Sequence, residues 1–227
     1  MEYYSPRGNL DTTGFVYYDE GSCAKVYKKG QLLLKTYKLD CKYYHMISPK
    51  LFNYLKNADF PHMLKLRDYY YLDKSLWNKV IGIEAYTMDY AGERISSLLH
   101  ASTEYLLDMV SDLEKMIALL SKQKIIMRDT HGGNIIFSEN DVTVIDPDQF
   151  SFAKFSSYAS VLKRNKYAIL NYIISSMVYE IEDDSKEKKY CFDLYSLKYV
   201  DLDCLAKSLK DFFTEETPYL SLKNKKY

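Results

Sequence analysis

The chain has 227 residues, 31 Lys and Arg against 31 Asp and Glu, and 47% hydrophobic residues, enough to bury a core as one large domain or as two small lobes sharing a cleft. A formal charge of zero removes the basic field that sequence-independent binding to nucleic acid requires, so nucleic acid is not an expected partner. No stretch approaches the ~18 uncharged apolar residues of a membrane helix, and MEYYSPRGNLD lacks a signal-peptide core, so no membrane span is expected and the expected location is cytoplasmic.

In chain order, residues 14–38 predict a three-strand meander: FVYY, AKVYK and QLLLKTY, joined by the turn-like DEGS and KKG. Residues 48–57 predict a helix, with Ser48 as N-cap and Pro49 in the first helical position. Two more strand candidates, HMLKLRDYYYL and KVIGIEAYTMDY, flank the turn DKSLWN. From Thr103, Leu106, Val110, Leu113, Ile117 and Leu120 recur at spacings of three and four, which lines one face of a long helix. The short apolar segments KIIM, NIIF and VTVID follow, the last two joined by a SEND hairpin turn. Residues 159–181 and 202–213 carry further helical patterns. The pattern thus changes from strands with one helix to mainly helix near residue 90, giving a β-rich N-terminal lobe over 1–89 and a helical lobe over 90–227, with a ligand cleft expected between them.

Cys23, Cys41, Cys191 and Cys204 form no CxxC pair, which argues against a disulfide framework or a zinc site and predicts reduced core thiols. The 24 tyrosines are spread evenly and predict ordinary amphipathic packing. His45, His62 and His100 have no carboxylate or Cys at ligand spacing and are expected to be structural.

The segment MRDTHGGNIIF followed by VTVIDPD places Asp129, Asn134 and Asp146 at spacings of five and twelve, with Gly132 and Gly133 making the loop compact. Asp and Asn also cap turns by themselves. Three oxygen-bearing side chains converging at strand ends are, however, the set that phosphoryl transfer needs: a carboxylate to orient a hydroxyl and accept its proton, and hard oxygen ligands for Mg²⁺.

RDTHGGNII resembles the catalytic loop HRDxxxxN of the protein-kinase-like superfamily, with Met127 where the family has His, and IDPD resembles its DFG segment. The resemblance implies an α+β, bilobal protein-kinase-like fold, a small antiparallel β lobe with one helix that binds nucleotide, and a larger helical catalytic lobe. It makes Asp129 the base and Asn134 and Asp146 the metal ligands. DEGSCAKVYKKGQLLLKTY resembles the nucleotide-covering hairpin and the strand bearing the phosphate-binding Lys, with Gly21, Val26 and Lys35 in the matching places and Asp19 and Ala24 replacing two glycines. AYTMDYAGERISSLL resembles the hinge, with Met88 behind the adenine and Asp89, Tyr90 and Ala91 as backbone contacts. Implied cofactors are ATP and Mg²⁺, and the implied activity is transfer of the γ-phosphoryl group to a hydroxyl on a protein or a small molecule.

Three departures qualify this picture. The family's helix Glu, which holds the strand Lys, falls on Leu51, and no acidic residue occurs from Cys41 through Ala58. Asp40 or Asp59 could substitute, or Lys35 could pair only with Asp146 and phosphate. No APE-like segment follows Asp146, so the peptide platform is missing or remodelled. His131, two residues after Asp129, makes the loop D-x-H-x-x-N, similar to aminoglycoside and choline phosphotransferases and other small-molecule or atypical kinases. It joins Asp129 and Lys35 as a candidate catalytic residue. Asp148 reads equally as an extra metal contact or as a cap. The alternative to an active kinase is a pseudokinase that binds nucleotide or acts as a scaffold.

Overall fold

In the computed structural model, the residues described are 4–5, 8–38, 46–72, 82–95, 103–139 and 141–180. The DKSLWN turn, the helix expected over 202–213, Asp40, His45, His100, Cys41, Cys191 and Cys204 lie outside them. The fold is mixed α and β, built on a five-stranded antiparallel sheet. A short hairpin of β1 (Tyr4–Ser5) and β2 (Gly8–Asn9), which the sequence did not announce, precedes it. The predicted meander is present as β3 (Val16–Glu20), β4 (Ala24–Lys29) and β5 (Leu32–Tyr37). With β6 (Leu66–Tyr70) and β7 (Ala85–Asp89) the strand order is β3-β4-β5-β7-β6.

Helix α1 (Pro49–Ala58) starts where predicted: the Ser48 hydroxyl accepts from the Leu51 N–H, and Pro49 occupies a position whose N–H needs no helical partner. Its Leu51, Phe52 and Leu55 are buried. The strand expected over residues 62–72 is shorter at its start, because His62 has a φ of 56° and turns the chain out of extended backbone. That turn brings His62–Leu64 against the other half of the molecule: Leu64 N–H donates to Val144 C=O and Val144 N–H to His62 C=O, both at 2.9 Å.

Beyond the sheet come α2 (Thr103–Lys122), β8 (Ile125–Ile126), a 3₁₀ turn (Gly132–Asn134), β9 (Ile135–Phe137), β10 (Val142–Val144), β11 (Ser151–Phe152) and α3 (Tyr158–Glu180). β9 and β10 form the predicted hairpin, while β11 was unforeseen and pairs with β8. Val110, Leu113, Ile117 and Leu120 on α2 are buried as the periodicity requires. One apolar core runs from Leu33 on β5 through Leu51 and Phe52 on α1 and Leu113 on α2 to Ile169 and Ile173 on α3. No helix among the described residues is long and apolar enough to cross a membrane.

Candidate functional site

Strand alternation sets one wall of the site. Leu33 belongs to the main core and Leu34 to a separate cluster with Tyr70 and Ala85 on the opposite side of the sheet, so Lys35, two residues after Leu33, shares the core-facing side. Lys35 lies opposite Val26 on β4 and Tyr86 on β7, and Leu33 opposite Met88. Cross-strand partners share a side, so the pairing gathers Val26, Lys35, Tyr86 and Met88 in one patch.

The facing wall is the loop between β8 and β9, and α3 scaffolds it. The fully buried Asn165 side chain accepts from Met127 N–H at 3.0 Å and donates to Ile125 C=O at 2.9 Å and to the Ser121 hydroxyl at 3.0 Å. Asn171 donates to the Thr130 hydroxyl at 3.3 Å. Gly132 packs on α3 so closely that a Cβ there would stand 2.8 Å from the Ser176 backbone, and a Cβ on Gly133 would stand 2.9 Å from the His131 ring. Arg94 donates to the Gly132 and Ile135 carbonyls at 3.0 and 2.8 Å.

Within this loop Asp129 has a φ of 54°, a left-handed conformation that Asp tolerates better than most side chains. Its carbonyl accepts the Asn134 amide at 2.7 Å, and its Oδ2 accepts from Gln149 Nε2 at 3.1 Å. The Asp129 side chain is 42% exposed, within reach of an incoming group. His131 Nδ1 accepts the Gly133 N–H at 3.1 Å. A neutral imidazole must then carry its proton on Nε2, which faces Asp129 Oδ1 at 3.9 Å.

The two walls meet at Lys35. Its Nζ lies 2.6 Å from Asp146 Oδ2 and 2.7 Å from Asp148 Oδ2, and 5.7 and 5.9 Å from the ring centroids of Tyr37 and Tyr86. Tyr86 donates its hydroxyl to Asp148 Oδ1 at 2.7 Å, and the Tyr37 hydroxyl accepts from the Ile47 N–H at 3.3 Å. Burial alone would lower the Lys35 pKa, but the charges of Asp148 and Asp146 outweigh it and hold the ammonium above its usual range. Burial, then the charge of Asp146, push the Asp148 carboxyl up to about 6 against the pull of Lys35. On α3, the Tyr172 hydroxyl is buried and has no hydrogen-bond partner, alone in this among the described residues. Burial, then the charges of Asp146 and Asp129, raise its pKa, so it stays protonated.

Between the walls lies a cavity of about 500 Å³, within the usual size range of small-molecule sites. Ala24, Val26, Met88 and Ile145 line its apolar part, and Lys35, Asp129, Asn134, Asp146 and His131 its polar part. Gly21 lines it too, in the tip between β3 and β4. Of the expected site residues, Asp89, Tyr90 and Ala91 are not in the lining. The Asp89 carboxylate forms a two-bond pair with Arg67 at 2.6 Å, and the Asp89 and Tyr90 N–H groups donate at 2.9 Å to the Lys65 and Gln31 carbonyls. Tyr90 also stacks under Lys28 Nζ, 3.3 Å from the ring centroid.

Cys23, expected as a core thiol, is half-buried and lines the cavity, because the β3–β4 turn carries it there rather than inward. His62, expected to be structural, has its Nδ1 2.8 Å from Asp141 Oδ1 and its Nε2 3.8 Å from Asp112 Oδ2. Asp148, Gln149, Tyr37 and Ile145 are site residues that sequence reasoning did not assign. A lysine with no helix carboxylate was the available signal, since it required an acid from elsewhere.

For Mg²⁺, the donor chemistry fits. The Asp146 side chain is 27% exposed and lines the cavity. The Asn134 amide nitrogen is engaged with Asp129, which leaves the harder Oδ1 for a cation. No group of three His, Cys, Asp or Glu side chains poised for a metal occurs among the described residues, so a Mg²⁺ here would complete its shell with phosphate and water, as this ion commonly does. The chain matches no protein-family model and no curated protein.

Proposed function

We propose that the chain is an ATP-dependent phosphotransferase of protein-kinase-like fold that moves the γ-phosphoryl group to a hydroxyl on a protein or small molecule. The observation that carries this reading is the ion pair between Lys35 and Asp146, 111 residues apart. It joins a sheet lysine to the segment after the Asp129 loop at the polar end of a cavity whose other end is apolar. Val26, Met88 and Ile145 would enclose a base, and Lys35 would hold phosphate oxygens. Asp146 and Asn134 would hold Mg²⁺, which neutralises charge on the phosphates when bound. Asp129 would orient the acceptor hydroxyl and take its proton, with its Oδ2 fixed by Gln149 and its Oδ1 3.9 Å from His131 Nε2.

Charge balance supports a cation at this position. One ammonium faces two carboxylates, so the buried cluster carries a net negative charge that a divalent ion on Asp146 would offset. Melting temperature should rise with ATP and Mg²⁺ together and much less with either alone, and ADP should be released when a pool of hydroxyl acceptors is supplied. No shift with ATP and Mg²⁺ would sink the reading. A pseudokinase is favoured by one observation: Asp19 and Glu20 line the cavity beside the cover, where like charge opposes a triphosphate. Nucleotide binding without any turnover would select that alternative.

A further inference from the structure

We infer that Asp148 is the positioning residue for Lys35, taking over the task of a helix carboxylate, and that the phosphate grip thereby needs no charged group from α1. The inference rests on the phosphotransferase reading and deepens it. An ammonium has three N–H donors and no acceptor. Among the described residues two of these meet Asp146 and Asp148, which leaves the third for a phosphate oxygen.

The two carboxylates divide the work. The Asp148 side chain is 7% exposed, and its Oδ2 meets Lys35 while its Oδ1 accepts the Tyr86 hydroxyl. Both oxygens are thus engaged and buried, so little of Asp148 remains for a metal. The more exposed Asp146 receives Lys35 on Oδ2, while its Oδ1 has only a long 3.4 Å approach from the Asp148 N–H. Asp148 therefore holds the lysine from behind, and Asp146 faces the ligand.

Helix α1 supplies no charged group to this; its Phe52 packs edge-on against the Tyr86 ring, with centroids 5.7 Å apart. Its sequence PKLFNYLKNA has no acid, its inward residues Leu51, Phe52 and Leu55 are apolar, and Lys56 pairs away from the site with Asp68 on β6 at 3.0 Å. A site whose lysine is tethered by residue 148 is assembled by the same segment that carries the metal ligand at 146. A displacement of α1 would break no ion pair at the lysine.

The test uses the full chain with ATP and Mg²⁺ as the probe and two readouts: the dissociation constant, and the rate at which an amine-acylating reagent modifies Lys35, followed by mass spectrometry. Asp148→Asn is nearly isosteric and should weaken ATP/Mg²⁺ binding about tenfold, the scale of one charge-assisted hydrogen bond. It should also make the ligand-free Lys35 several-fold more reactive, because a side chain only 10% exposed and no longer held from behind by Asp148 swings into reach of the reagent. Asp148→Glu should recover part of both. Leu51→Ala should lower the melting temperature and leave both readouts at wild-type values.

If Asp148→Asn fails to fold, Tyr86→Phe decides. It removes one donor to Asp148 while keeping the ring, and should weaken binding by about two- to threefold. Wild-type affinity and Lys35 reactivity in Asp148→Asn, or wild-type affinity in Tyr86→Phe, would overturn the tether while leaving phosphotransfer intact. An equal loss of affinity in Leu51→Ala would overturn the assignment of the lysine's hold to Asp148 and not to α1. Wild-type protein that binds no ATP overturns the functional reading, and this proposal with it, before any variant is made.

Discussion

The loop over residues 127–134 and the hairpin tip over 19–24 face each other across one cavity and are built in opposite ways. The loop is held from beneath by Asn165 and Asn171, from the side by Arg94 and from within by the Gly133 N–H on His131. Gly132 is pressed against α3 with no room for a methyl group. The hairpin tip, by contrast, has an exposed β3, a Gly21 whose Cβ would meet nothing within 4 Å, and a few bonds of its own. Among these are Gly21 N–H to Ala24 C=O at 2.9 Å, Lys38 N–H to Cys23 C=O at 2.8 Å and Lys38 Nζ to Gly21 C=O at 2.8 Å. On the phosphotransferase reading, the difference teaches where order would be needed before a ligand arrives. Groups that act on developing charge gain from fixed positions, whereas a cover that must admit and release a ligand is drawn from the less stable end of a structure.

That contrast can be broken at its strong side first. Asp129→Asn keeps the side chain's shape and removes its charge, and should lower turnover by about 10²–10⁴-fold with little change in nucleotide affinity. Asp146→Asn should differ in kind, weakening ATP/Mg²⁺ binding by roughly tenfold or more along with transfer. Steady-state kinetics beside a binding titration separates the two, and an equal loss of affinity in both variants would remove the distinction between base and metal ligand.

Smaller effects test the scaffold. Asn165→Ala orphans the buried Met127 N–H and Ile125 C=O and should destabilise the fold by roughly 1–3 kcal/mol for each group, read by chemical denaturation. Gly132→Ala must push the loop off α3 and should cost about 1–3 kcal/mol, with turnover falling further than stability explains. Gly21→Ala should change stability by less than about 0.5 kcal/mol, since its Cβ enters open space. A large loss there would show that the tip is as firmly built as the loop.

Much of the fold was legible because local chemistry and tertiary structure agree. Ser48 and Pro49 start α1, the spacing on α2 matches its buried face, and the strands of the meander alternate where Leu33 and Leu34 part to opposite sides. Asp148 was legible only as an ambiguous acid after Asp146, because its role depends on Tyr86, 62 residues away, and on Lys35. Nothing local marks that tyrosine among 24. The segment 89–91 read as a contact surface, and within it sheet pairing and Arg67 engage the Asp89 and Tyr90 N–H groups and the Asp89 carboxylate. The Cys23 thiol was placed by composition, which says how often Cys is buried and not which way a particular turn faces.

The solitary hydroxyl of Tyr172 has an implication for how this chain trades robustness against use. A phenylalanine would fill the same space on α3 without a stranded donor, and an unsatisfied buried hydroxyl costs roughly 1–3 kcal/mol. Tyr172→Phe should therefore raise the melting temperature. If it does so while slowing phosphoryl transfer, the hydroxyl is a retained liability whose value appears only during turnover. If it stabilises the protein and leaves the rate untouched, α3 carries an imperfection that function does not need.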